Sequence, residues 1–128
     1  MKKGILIILM AFSAINSYAT NNIIIRLNAI AFQKIIRETK EPLILDCSTI
    51  ETYVYEHIES AISIADIEMM RYVLKDINKQ TLLFVYCTNE ERSSDAIKEI
   101  QELGFTKIYQ LKKGLTEWKR QGLETSNN

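Results

Sequence analysis

The sequence predicts an α/β fold in which a small, mostly parallel sheet carries helices on both faces. Two observations predict it. Short apolar segments alternate along the chain with stretches of helical periodicity, the pattern of strand–helix–strand units. The strand candidates Leu43-Ile44-Leu45-Asp46 and Leu82-Leu83-Phe84-Val85-Tyr86 are also apolar along their length, as strands buried on both faces are.

In chain order, Ile23 to Arg26 reads as a short strand, and Ala29 to Arg37 as a helix with Ile30, Ile35 and Ile36 spaced to lie on a sheet. Leu43 to Asp46 is a strand that closes on a carboxylate, and Ile50 to His57 is a short turn or helix. Ile62 to Ile64 is a brief strand. Asp66 to Ile77 carries Ile67, Met70, Val73, Leu74 and Ile77 as a helical stripe, with Asp66 near its start. Leu82 to Tyr86 is the strongest strand. Ser93 to Leu103 is a helix with Ala96, Ile97, Ile100 and Leu103 on one face and Gly104 where a C-cap belongs. Lys107 to Leu111 is a strand, Gly114 to Gly122 is a helix around Trp118, and Thr125 to Asn128 is a tail.

A length of 128 residues suits a single domain, here residues 20–128. Residues 1–19 differ in kind. Lys2 and Lys3 precede an apolar run from Gly4 to Ile15, and Ser17 and Ala19 supply the small residues of a cleavage site. The run is shorter than the ~20 apolar residues of a spanning helix. A signal peptide and export, to a bacterial periplasm or beyond, are therefore expected, with no stable membrane anchor after cleavage. Removing Lys2 and Lys3 takes the basic count from 16 to 14 against 16 acidic residues, a net charge of −2. No basic run remains to favour nucleic acid or an anionic membrane surface. With no obvious apolar surface stripe, the expected state is a monomer.

In open parallel sheets, sites lie outside the carboxyl ends of the strands. That rule selects the segments after Asp46 and after Tyr86. The second reads Cys87-Thr88-Asn89-Glu90-Glu91-Arg92-Ser93. A loop running into a helix start turns successive backbone N–H groups inward as an anion nest, and the helix N-terminus adds positive potential. Such surroundings favour a reactive thiolate at Cys87, with Arg92 as a forked donor for a small oxyanion. The spacing alone is equally compatible with a buried structural cysteine beside a surface arginine.

Val85-Tyr86-Cys87 with Arg92-Ser93 resembles the active-site loop of rhodanese domains. Leu103-Gly104-Phe105, Ile108, Leu111, Gly114 and Trp118 resemble the stretch that follows it, and Leu45-Asp46 and His57-Ile58 with Ala61 and Ile64 resemble segments upstream. The resemblance spans about Ile23 to Gly122. It implies a three-layer rhodanese-like fold and a sulfurtransferase in which Cys87 takes the outer sulfur of thiosulfate or a related donor as a persulfide. The substrate-binding loop would be Thr88, Asn89, Glu90, Glu91, Arg92 and Ser93, and a thiol, cyanide or partner-protein cysteine would accept the sulfur. No metal or organic cofactor is implied. Phosphatases of this fold carry five residues between Cys and Arg; the four found here imply a cradle suited to sulfane sulfur rather than phosphate.

The chain also departs from the family. Glu90 stands where many rhodaneses have Gly, so a positive φ there would be strained. Glu90 and Glu91 place carboxylates beside the thiolate, which predicts weak thiosulfate activity and a gain on replacing Glu90 with Gly. Ser48 occupies a frequent Arg position, and Glu56, Ser60 and Lys113 replace glycines as surface changes. Asp46 is expected to anchor loop N–H groups. His57 is expected to satisfy a backbone or Asp46 hydrogen bond, with stabilisation of a thiolate as the alternative. Cys47 follows Asp46 at a neighbouring strand end; it either forms a reversible disulfide with Cys87 or is an inert small hydrophobe. Two other function classes follow from these departures: a non-catalytic protein-binding module, and an exported thiol or persulfide redox carrier using Cys47 and Cys87.

Overall fold

A computed structural model describes residues 21–128. The expected signal peptide, residues 1–19, lies outside the described residues. Five strands, β1 (Ile23–Leu27), β2 (Leu43–Asp46), β3 (Ile62–Ser63), β4 (Leu83–Tyr86) and β5 (Lys107–Leu111), form one parallel sheet in the order β1-β5-β4-β2-β3. The helices are α1 (Ala29–Glu38), α2 (Ile50–Tyr55), α3 (Ile67–Leu74), α4 (Glu91–Glu102) and α5 (Gly114–Arg120).

Alternation along the central strands divides the interior into two cores. Leu45, Leu83 and Val85 face one side with Met70 and Leu74 of α3 and Ile97 and Ile100 of α4. Ile44, Phe84 and Tyr86 face the other, with Phe32 of α1 and Leu115 and Trp118 of α5. Phe32 meets both Phe84 and Trp118 edge-on, at centroid distances of 5.6 and 6.4 Å. Covering both faces explains why β2 and β4 are uninterrupted apolar runs.

Side chains start three helices by accepting an otherwise orphaned backbone N–H: Asn28 from Ala31, Thr49 from Thr52 and Asp66 from Met69. Two of the helix boundaries that differ from the sequence reading have a visible cause. The stripe from Asp66 to Ile77 is helical only to Leu74, and Ile77 closes a turn by donating its N–H to Leu74 O at 3.2 Å. Helix α4 begins at Glu91 rather than Ser93, because Glu90 O already accepts the N–H of Ser94. Arg92 therefore belongs to the first turn of α4 and not to the loop.

The expected lack of an apolar surface stripe does not hold at the sheet edge. Strand β1 has a neighbour on one side only, and Ile23, Ile24 and Ile25 are exposed. Among the described residues, no helix is long and apolar enough to cross a membrane.

The glycine departures also resolve differently than expected. Glu90 has φ 165°, extended backbone open to any residue, so it carries no left-handed strain. Ser60 and Lys113, read from sequence as surface changes, are the positions that adopt left-handed backbone, at φ 69° and 62°. A left-handed non-glycine residue costs roughly 1–2 kcal/mol, partly offset by the entropy a glycine loses on folding. Ser60→Gly is expected to raise stability by about 0.5 kcal/mol, read as a higher urea midpoint at unchanged slope.

Candidate active site

Strands β2 and β4 are neighbours, and their carboxyl ends bring the two cysteines together. Asp46 pairs in register with Tyr86, and the Cys47 N–H donates to Tyr86 O at 2.8 Å, so Cys47 and Cys87 are the next register partners. Both are buried, both belong to the core beneath α3 and α4, and both are free thiols.

Cys87 sits where β4 gives way to the loop. Its Sγ accepts the backbone N–H of Ser93, in the first turn of α4, at 3.2 Å. The loop is held from below by α5. Leu115 N–H donates to Cys87 O at 2.8 Å and Thr116 N–H to Thr88 O at 2.9 Å, so the loop carbonyls fill two vacant sites at the start of a helix. Gly114 permits this approach. A Cβ there would lie 2.4 Å from Cys87 O and 2.6 Å from the Thr88 carbonyl carbon.

The loop residues take roles that the sequence did not show. Asn89 Oδ1 accepts the N–H groups of Glu90 and Glu91 at 2.7 and 3.2 Å. The expected anion nest is thus partly filled by the chain's own carboxamide. Arg26 Nη2 donates to both oxygens of the Glu90 carboxylate, at 2.9 and 2.6 Å, and Lys113 N–H donates to Oε1 at 2.8 Å. The Glu90 charge is therefore directed onto β1 and the start of α5. An exposed pair of this kind contributes little stability, so its main effect is to orient the loop. Glu91 is exposed.

Arg92 does not reach into the loop with the donors whose partners are seen. Its Nε donates to Cys47 O and its Nη2 to Ala65 O, both at 2.8 Å. In a continuing parallel ladder, Cys47 O would receive the N–H of Thr88. Arg92 supplies that donor instead and lets β4 turn away. Ser93 is buried; its hydroxyl donates to Glu90 O at 2.8 Å and accepts from Gln110 Nε2 at 2.9 Å. Gln110 also donates to Ser94 Oγ at 3.0 Å, fixing the start of α4 from β5. Sequence reading overlooked Gln110, Arg26 and Thr116. Only Gln110 left a signal, as a polar residue inside an apolar strand.

The supporting residues separate in space. Asp46 is fully buried and its Oδ1 accepts Ser48 N–H at 2.7 Å, the loop-anchoring role expected of it. Burial and then the Asp46 carboxylate push the Tyr86 hydroxyl far above its usual range, and it accepts Ile58 N–H at 2.8 Å. His57 lies away from the thiols: its ring nitrogens meet Tyr53 O at 2.7 Å and Asn128 O at 2.8 Å, and the ring stacks on Tyr53. It ties α2 to the C-terminal tail. Among the described residues, no group of three His, Cys, Asp or Glu side chains is placed to hold a metal ion. A cavity of about 650 Å³ lies beyond the ends of β1 and β5, lined by Lys34, Lys112, Lys113 and Arg120 rather than by the cysteines.

A parallel α/β domain with a cysteine loop at its central strand end defines a class, and comparison with known proteins gives the family. The Rhodanese-like domain family matches residues 29–121, and the chain belongs to it. A curated relative, the adenylyltransferase and sulfurtransferase uba4 of Ogataea parapolymorpha, is 27% identical over 82 residues. That match covers 64% of this chain and 21% of the relative, so the chain spans about a fifth of the relative's length. Among solved structures, a rhodanese-like domain from Anabaena sp. is 26% identical with a TM-score of 0.69, over 80% of this chain and 79% of that one. A thiosulfate sulfurtransferase from Pseudomonas aeruginosa is 22% identical with a TM-score of 0.69, over 80% of this chain and 20% of that one; it shares the fold.

Two expectations follow. Gly114→Ala forces the loop off α5 and is expected to cost about 2–3 kcal/mol, the scale of overpacking with added backbone strain, seen as a lowered thermal midpoint. Burial pushes the Cys47 thiol well above its ordinary range; charge on Cys87 and Asp46 adds to this, and Arg92 partly offsets it. The folded state therefore holds the Cys47 proton more tightly than the unfolded chain. Its contribution is fully present below the unfolded value of about 8.5 and is lost as pH rises toward the higher folded value. Cys47→Ser is expected to flatten the fall in stability between about pH 8.5 and 10, measured by urea titration, before the raised Tyr53 and Tyr86 contribute.

Proposed function

We propose that this chain is a sulfurtransferase that carries sulfane sulfur on Cys87. The observation that carries the reading is the placement of Cys87: at the end of a central strand, in a loop carried by the start of α4, with its sulfur accepting the Ser93 N–H. The Cys87 thiolate attacks the outer sulfur of thiosulfate or a similar donor. The sulfur–sulfur bond of the donor breaks, sulfite leaves with its charge, and the outer sulfur remains on Cys87 as a persulfide. A thiophilic acceptor, such as cyanide, a thiol or a partner-protein cysteine, then removes it. The scheme is covalent catalysis in two half-reactions and calls for no cofactor. The relative named a sulfurtransferase and the four-residue gap between Cys87 and Arg92 support it.

The loop also bears on rate. Asn89 holds two of the amides that an incoming anion would use, and two Arg92 donors are spent on carbonyls, so thiosulfate is a slow donor here. Releasing Glu90 from Arg26 and Lys113 by Glu90→Gly removes a support of the loop, an effect opposed to the gain expected from deleting its charge. The basic start and apolar run of residues 1–15 support the further proposal that the domain works after export, in a periplasm.

Incubating reduced protein with thiosulfate and cyanide is the test. Thiocyanate and sulfite are expected in equal amounts, with complete loss in Cys87→Ser. If neither thiosulfate nor a polysulfide yields thiocyanate, the chain is a non-catalytic binding module, the reading that the self-filled loop would then favour.

A further inference from the structure

We propose a second activity, resting on the Cys87 persulfide reading: Cys47 is a resolving thiol that discharges the persulfide as sulfide, making the domain a dithiol-dependent thiosulfate reductase. Two independent observations carry it.

The first is register. Cys47 and Cys87 each directly follow the last paired residues, Asp46 and Tyr86, of two neighbouring parallel strands, and both belong to the core beneath α3 and α4. Neighbouring strands lie about 4.8 Å apart, inside the range of roughly 4.4–6.8 Å between Cα atoms that a disulfide spans. Arg92 fixes this approach from the Cys47 side by holding Cys47 O.

The second is access. A cavity of about 230 Å³ opens on Cys47, floored by Ile64, Ala65 and Met70 and rimmed by Arg92 and Asp95. Cys87 does not line it. Cys47 is only 3% exposed, yet it lines this cavity, so the space beside it is where an incoming thiol would reach it.

The chemistry balances without an external oxidant. After the donor has left its sulfur, Cys47 attacks the inner sulfur of the Cys87 persulfide. The Cys47–Cys87 bond forms, the bond to the outer sulfur breaks, and that sulfur leaves as hydrosulfide carrying the Cys47 proton. The outer sulfur is reduced by two electrons, and the two cysteines are oxidised to one disulfide. A dithiol, small or on a protein, enters at the Cys47 cavity and reduces the disulfide by exchange.

The experiment is anaerobic. Reduced protein is mixed with thiosulfate, with no other thiol present, and sulfide, intact mass and cross-linked peptides are followed. The expected wild-type result is sulfide release approaching one equivalent, a mass lower by two hydrogens, and a peptide pair joined through Cys47 and Cys87; a sample without thiosulfate stays reduced. Cys47→Ser is expected to gain the mass of one sulfur, keep it until cyanide is added, and lose sulfide release entirely. Wild-type protein that holds its persulfide with Cys47 still open to alkylation would overturn the resolving role and leave the sulfurtransferase reading standing. Failure of both proteins to gain sulfur from thiosulfate and from a polysulfide alike would overturn the persulfide reading and this one with it. If Cys47→Ser does not fold, the wild-type peptide map decides alone.

Discussion

The site depends on one contact, the seating of two loop carbonyls on the first amides of α5. Cys87 O and Thr88 O accept from Leu115 and Thr116 at 2.8 and 2.9 Å. A strand end cannot simply stop in the interior, because its backbone groups must find partners. Here the carbonyls turn toward one helix, and the Cys87 sulfur is left to receive an N–H from another. Gly114 sets the distance at which this happens, since any side chain would strike the Cys87 carbonyl. The contact links β4, β5 and both helix starts, so the geometry at the sulfur is a property of the sheet rather than of the loop alone.

Around that contact, the polar residues of the loop are spent on the protein itself. Asn89 accepts the amides of Glu90 and of Glu91, where α4 begins, Glu90 reaches Arg26 and Lys113, and Arg92 completes the ladder that Thr88 abandons. These bonds hold the loop on both sides of the sulfur. The same satisfaction leaves fewer free donors for an incoming anion. This tension ties the proposed slow use of thiosulfate to the hydrogen bonds that the loop makes with the rest of the chain. The pairing of β2 with β4 sets Cys47 and Cys87 at neighbouring strand ends.

The sequence by itself determined the fold class and the address of the candidate site. Uniformly apolar β2 and β4 required cover on both faces, helical stripes supplied it, and Cys87 stood at a strand end where such sheets place their chemistry. Periodicity reports burial, and burial is what fixes these elements, so most boundaries fell within a residue or two. Helix α4 began earlier than read because its cap lies in backbone and Asn89 contacts that periodicity does not record.

Only the tertiary structure decided what each site residue does. Glu90 read as a carboxylate beside a thiol, yet its partner Arg26 lies 64 positions away in sequence. Arg92 read as an anion donor, yet its Nε goes to a carbonyl 45 positions away. Gln110 gave little warning of its hold on Ser93. Left-handed backbone fell on Ser60 and Lys113 rather than on Glu90, because φ is set by where the chain must turn and not by the residue that occupies the turn. Hydrogen bonds are satisfied by proximity in space, and a sequence records proximity only along the chain. The type of each side chain was therefore legible from the start, and its partner became so only once the strands were placed in order.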